Sequence, residues 1–182
     1  MVIPYAKRIL VWLGVVFVHS CATLPTPPME DVPAKLEDKT YTAFDGGKFD
    51  YLGWPAHKTT KRVIIATHGI CGINSDFEAF AKFIGAADQE TSIFAYNTRS
   101  QGCDPVPHRR GDITTPISWY KDLIRFSSLI RHKHPDAEIV WYGESMGAMI
   151  TLNTFAHCLR ENEQVCDKII LSAPVINPKQ HV

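Results

Sequence analysis

The chain has 182 residues, 45% hydrophobic and 21% charged, which is the make-up of one globular domain with a real core and excludes a disordered segment. Nineteen basic residues balance nineteen acidic ones, so the formal net charge is zero. With no basic excess there is no electrostatic case for nucleic acid as a partner.

The N-terminal residues belong to a separate category. Lys7 and Arg8 precede the apolar run "ILVWLGVVFV" at positions 9–18. A run of that length spans about 15 Å as helix, roughly half of a bilayer core, which argues for a secretory signal peptide and against a spanning anchor. The step from Ser20 to Cys21 resembles a bacterial lipoprotein signal, in which Cys21 becomes the acylated first residue of the mature chain. His19 departs from that pattern, and an ordinary signal cleaved nearby is the alternative. Residues 22–38 hold four prolines without hydrophobic periodicity and read as an extended tether. The predicted organisation is therefore a signal at 1–21, a tether at 22–38 and a folded domain at 39–182, exported and membrane-anchored on the periplasmic side. Four further cysteines, Cys71, Cys103, Cys158 and Cys166, allow two disulfides in such a compartment.

Within the folded region, residues 39–54 alternate apolar and polar around Asp45-Gly46-Gly47, a hairpin signal. Residues 62–69, "RVIIATHG", read as a buried strand ending in glycine. Ser75 and Glu78 have capping-box spacing, and Phe77, Phe80, Ala81 and Ile84 give the following helix its apolar stripe. Residues 91–96 form another strand. Thr115-Pro116 opens a second helix with Trp119, Leu123, Phe126 and Ile130 on one face, stopped by Pro135. A strand at 137–143, a helix from Ser145 to about Arg160 and a strand at 167–174 complete the pattern. An antiparallel start followed by strand–helix alternation predicts an α/β fold with a mostly parallel sheet. The glycine-bearing turns at 69–72, 101–103 and 143–147 then share the rim at the strand C-termini, where such sheets bind ligands.

"GESMG", residues 143–147, sits between a predicted strand and a predicted helix. In such an elbow the glycines allow a tight turn, and the Ser145 hydroxyl projects above the sheet edge as a nucleophile. The helix that follows directs its N-terminus at the same spot, which favours developing negative charge. "THGICG", residues 67–72, is the second half of the site. Acyl transfer needs backbone N–H donors aimed at the tetrahedral oxyanion. Met146, next after the nucleophile, and Ile70, in the loop after the earlier strand, are the candidates. His68 precedes the glycine turn and reads as a structural histidine bonding to the loops.

Together the "DGGKFDYLGW" hairpin, "HGI", "FAYNTRSQG" and "GESMG" resemble the α/β-hydrolase family, in its monoacylglycerol lipase and lysophospholipase branch bordering on serine aminopeptidase-like hydrolases. The resemblance covers residues 41–174. Asn97 and Ser100 stand where that family commonly has an acid and a glycine. The resemblance implies hydrolysis of a carboxylic ester in a lipid-like substrate; no metal or cofactor is implied, since the sequence shows no ligand cluster. It also implies a triad in the order Ser, acid, His, with the acid, the histidine and a lid after the sixth strand. The chain is accordingly expected to be the N-terminal part of a longer hydrolase, lacking the final strands, lid and C-terminal helices. That expectation makes the product poorly soluble and its last strand an open edge. Two histidines in hand are candidate surrogates for the base, His108, near Asp104 and Asp112, and His181 in the tail, while each reads more simply as a surface residue. The rival expectation is an inactive domain serving at most as a binding surface. Loops sharing a rim make Cys71–Cys103 one candidate bridge, and Cys158–Cys166 a second across the end of the nucleophile helix.

Overall fold

A computed structural model of the chain describes residues 32–112 and 116–174. The signal at 1–21 with its Cys21, the tether up to residue 31 and His181 lie outside the described residues.

Six strands form one sheet in the order β1-β2-β4-β3-β5-β6. β1 (Thr40–Thr42) and β2 (Lys48–Trp54) make the expected hairpin, turned by Gly46 at φ +85°. β2 pairs antiparallel with β4 (Thr91–Tyr96). From there β3 (Arg62–Thr67), β5 (Glu138–Glu144) and β6 (Lys168–Ser172) run parallel to β4. The antiparallel hairpin on a mostly parallel sheet is the α/β-hydrolase arrangement the sequence predicts.

Three helices cross between parallel strands: α1 (Glu78–Ala87), α2 (Pro116–Lys133) and α3 (Met146–Glu161). The step from β3 to β4 moves one way across the sheet; the steps from β4 to β5 and from β5 to β6 move the other way. Right-handed crossovers therefore put α1 on one face and α2 with α3 on the other. The alternation of side chains follows this split. Val63, Ile65, Phe94, Tyr96, Ile139 and Trp141 join the main core with Leu123, Phe126 and Ile150, whereas Ile64, Ile93 and Val140 meet Ala81 and Ile84 of α1. The order in which strands are added reverses between the parallel neighbours β3 and β5, whose following loops diverge to opposite faces. That divergence opens a crevice at the strand C-termini.

Two expectations need correction. The helix after β3 does not start on a Ser75–Glu78 capping box. It begins with a 3-10 turn, Asn74–Phe77, in which the Asp76 carboxylate accepts the Ile73 N–H at 2.8 Å. Asp76 reaches that donor from three residues on, which leaves the box no role at Ser75. Neither disulfide forms either: Cys71, Cys103, Cys158 and Cys166 are all free thiols. Cys71 and Cys103 are exposed on their loops, and Cys158 and Cys166 are buried as small apolar residues in the main core. Burial pushes the Cys158 thiol up to about 11 and the Cys166 thiol up to about 12, so both stay protonated and inert.

Candidate active site

Ser145 stands between the end of β5 and the first turn of α3, with φ +53° and ψ −114°. That backbone region costs a non-glycine residue on the order of 1–3 kcal/mol and persists only where the surroundings fix it. Two contacts do so. The Ser145 N–H donates to Ser172 O of β6 at 2.9 Å, and Ser145 O accepts the Ala148 and Met149 N–H groups at 3.0 and 3.3 Å. The flanking glycines are dictated by close approach. A β-carbon on Gly143 would stand 2.4 Å from Gly147 O, and one on Gly147 would stand 2.1 Å from Thr67 O. The elbow thus packs its backbone directly onto the end of β3.

That packing brings the second loop alongside. A β-carbon on Gly69 would lie 3.4 Å from Ser145 Cβ. Gly72 N–H donates to Gly69 O at 3.1 Å and Cys71 has φ +58°, so residues 69–72 form a turn of type II sense. Ile70, at its second position, is 66% exposed at the rim. Neither the Ile70 N–H nor the Met146 N–H has an acceptor among the described residues. Met146 is the first residue of α3, whose initial N–H groups have no partner within the helix. Two donors without acceptors thus belong to residues next to this elbow: Met146 follows Ser145 in the chain at the positive end of a sixteen-residue helix, and Ile70 follows Gly69, which borders Ser145.

His68 is 1% exposed and both of its nitrogens are engaged. Its Nε2 accepts the Thr98 N–H at 2.9 Å, which leaves the proton on Nδ1 to donate to Gly69 O, also at 2.9 Å. Burial holds its pKa below 6.5, so the ring is neutral. It fastens the loop after β4 to the loop after β3, as a structural histidine does.

His108, the surrogate base among the described residues, is placed otherwise. His108 lies in a 3-10 turn, Pro107–Arg109, and no hydrogen bond joins it to Ser145. Asp104 is fully buried. Its carboxylate takes Ser100 N–H at 2.6 Å, Val106 N–H at 2.7 Å and Arg109 at 2.9 Å, which commits it to shaping its own loop. Burial works against its charge, but these donors outweigh burial and hold its pKa below the ordinary value. Among the described residues no group of three or more His, Cys, Asp or Glu is arranged to hold a metal ion.

One buried network was not anticipated. Arg99, in the loop after β4, donates to both oxygens of Asp122 on α2 at 2.8 and 3.1 Å and to both oxygens of Asp45 in the hairpin turn at 2.7 and 2.9 Å. Its guanidinium also lies 4.9 Å from the Phe49 ring centre. Burial drives the Asp122 carboxyl up to about 6 against the pull of Arg99. At Asp45 burial acts the same way, but the Arg99 hydrogen bonds outweigh it and lower the pKa. The sequence held one signal: Asp122 interrupts the apolar face of α2 between Trp119 and Leu123.

Several solved structures share this fold. A soluble variant of monoglyceride lipase from Saccharomyces cerevisiae, in complex with a substrate analogue, superposes with a TM-score of 0.61 at 23% identity over 86% of this chain and 51% of that one. A thermostable carboxyl esterase from Bacillus coagulans, in complex with glycerol, gives 0.60 at 15% identity over 72% and 42%. Brefeldin A esterase, a bacterial homologue of human hormone-sensitive lipase, gives 0.61 at 19% identity over 84% and 43%. The chain thus spans about half the length of these proteins. No curated protein matches by sequence. The family profile described as serine aminopeptidase, S33 matches residues 58–182, taking in the elbow, the turn beside it and all three helices, and the chain belongs to that family of hydrolases.

Proposed function

We propose that the chain carries the nucleophile and oxyanion half of a serine hydrolase acting on carboxylic esters of lipid-like alcohols, such as a monoacylglycerol or lysophospholipid. The observation that supports this reading is the pair of acceptor-free N–H groups, Ile70 and Met146, beside a hydroxyl on a strained elbow. Ser145 Oγ attacks the ester carbonyl. Negative charge moves to the carbonyl oxygen, where the two N–H groups and the α3 N-terminus meet it. Collapse of the tetrahedral species expels the alcohol and leaves an acyl group on Ser145, and water then releases the acid. The proton of Ser145 needs an acceptor. We assign it to a histidine outside the described residues, since none within them is bonded to Ser145. A chain anchored through Cys21 on the periplasmic face would meet such substrates at the membrane surface.

A second reading, an unreactive domain that only binds, is favoured by that same lack of a partner on Ser145 Oγ. Treatment with a fluorophosphonate followed by intact-mass measurement separates the two. The proposal expects one adduct on the wild-type chain and none on Ser145→Ala. Equal masses with and without reagent on the wild-type chain exclude an activated serine.

A further inference from the structure

The oxyanion turn is held from behind by a side chain with no other task. Gln101 is 2% exposed, and its Oε1 accepts the Cys71 N–H at 3.0 Å. Its Nε2 is buried with no acceptor among the described residues. Burying an amide with half of its hydrogen-bonding capacity unused is a cost to folding. The residue is therefore not explained as a contributor to packing or to stability. What it supplies is a single acceptor, aimed at the central peptide of the turn.

That peptide sets the type of the turn and is the point at which the turn is tied to the neighbouring loop. Turns of type I and type II differ by a flip of the unit joining their second and third residues. Here the unit joins Ile70 to Cys71, and the φ of +58° at Cys71 is the type II arrangement in a residue other than glycine. A cysteine there prefers the flipped form, so something must hold the peptide against that preference. Gln101 is placed to do so. The anchorage behind it is firm: Trp119 Nε1 donates to Arg99 O at 2.9 Å, the Asn97 side chain accepts Asn74 N–H at 2.9 Å, and His68 accepts Thr98 N–H. A β-carbon on Gly102 would lie 2.8 Å from Gly72 O, so the two loops are stacked backbone to backbone.

We propose that Gln101 is a positioning residue for the oxyanion site: by accepting the Cys71 N–H it pins the whole 69–72 turn to the loop after β4, and so keeps the Ile70 N–H, one peptide earlier in that turn, in place beside Ser145. This rests on the reading of Ser145 as a nucleophile. Gln101 touches neither substrate nor the reacting atoms, and its effect is carried by the turn. An acceptor at this position is the requirement, so a carboxylate serves in place of the amide and a thioether of similar shape does not.

The experiment uses the full chain and a fluorophosphonate probe, with intact mass giving the rate of phosphonylation and its dependence on probe concentration. Four proteins are compared: wild type, Gln101→Met, Gln101→Glu and Ser145→Ala. Amide exchange at Cys71 is followed alongside, and Gln101→Asn, one methylene too short to reach Cys71, stands in should the Met variant not fold. The expected result is a fall of about tenfold to a hundredfold in the maximal phosphonylation rate of Gln101→Met, with half-saturating probe concentration unchanged. Cys71 exchange should quicken in step, and Gln101→Glu should restore both. Phosphonylation as fast in Gln101→Met as in wild type overturns the positioning role and leaves the nucleophile standing. A wild-type chain labelled no faster than Ser145→Ala overturns the nucleophile, and the positioning role with it.

Discussion

At the scale of single residues, the elbow is a place where almost no side chain is tolerated. Gly143 and Gly147 each face backbone atoms closer than any β-carbon can approach, so Gly143→Ala and Gly147→Ala should each cost about 3 kcal/mol, read as a drop in melting temperature. A loss under about 0.5 kcal/mol at either position contradicts the packing described. His68 makes a different prediction, through pH. Its folded pKa lies below the ordinary 6.5, so the unfolded chain binds the proton more readily. The stability it provides is present above pH 6.5 and is lost as pH falls below that value. Asp122 acts with the opposite sign: its folded value of about 6 exceeds the ordinary 3.8, and protonation favours the folded chain as pH falls through about 6. Comparing wild type with His68→Gln cancels the Asp122 contribution. Melting temperatures recorded from about pH 7.5 down to about pH 5 should fall more steeply for wild type than for the variant. Parallel curves refute the account of a neutral, twice-bonded ring.

At the scale of elements, the Arg99 network ties three separate pieces of chain, the hairpin turn, the loop after β4 and helix α2, to one guanidinium. Arg99→Met leaves Asp122 as an uncompensated carboxylate at 1% exposure and should cost about 3–5 kcal/mol in chemical denaturation. Replacing both members, Arg99→Met with Asp122→Leu, should recover much of that loss, since the charge left behind is then gone. If the double variant is as unstable as the two losses added, the pair is not coupled as drawn. Asp45, whose side chain is 38% exposed, should matter less, about 1 kcal/mol or below. This network also marks where the sequence stopped being legible. Strands and helices came through because each carries its own period: the β-branched run of β3, the stripe of Trp119, Leu123, Phe126 and Ile130 on α2. The elbow came through because its glycines, its strand and its helix are consecutive. Arg99, Asp45 and Asp122 are brought together from positions 23 and 54 residues apart, and no local pattern encodes that meeting. Gln101 is hidden for the same reason, its partner Cys71 being 30 residues away. The 3-10 turn before α1 is not legible from the Ser75–Glu78 spacing, because Asp76 and not Ser75 holds the donor.

At the scale of the whole molecule, the described sheet ends in the short β1 of the hairpin on one side and in β6 on the other. β6 pairs with β5 along one edge and with no strand along the other among the described residues. Its Ile170 is 48% exposed on the face that α1 covers only in part. Such an edge pairs readily with another chain, so these 182 residues expressed alone are expected to self-associate at micromolar concentration. Ile170→Lys should shift it toward monomer by light scattering, because a charge on an edge strand opposes pairing. Unchanged association directs attention away from β6. The hydrogen bond from the Ser145 N–H to Ser172 O has a further consequence, for the order of events during synthesis. Ribosomes add residues at about 5–20 per second, and a domain begins to assemble from its N-terminal portion. The hairpin, β4 and β3 can associate early, and α2 can settle on them. The elbow cannot take its final shape until Ser172 has emerged and β6 has docked, because that strand supplies the acceptor for its main chain. The Ser145 hydroxyl is thus set in place only after β6 has joined the sheet that supports it, and a nascent chain short of that point carries serine without its geometry.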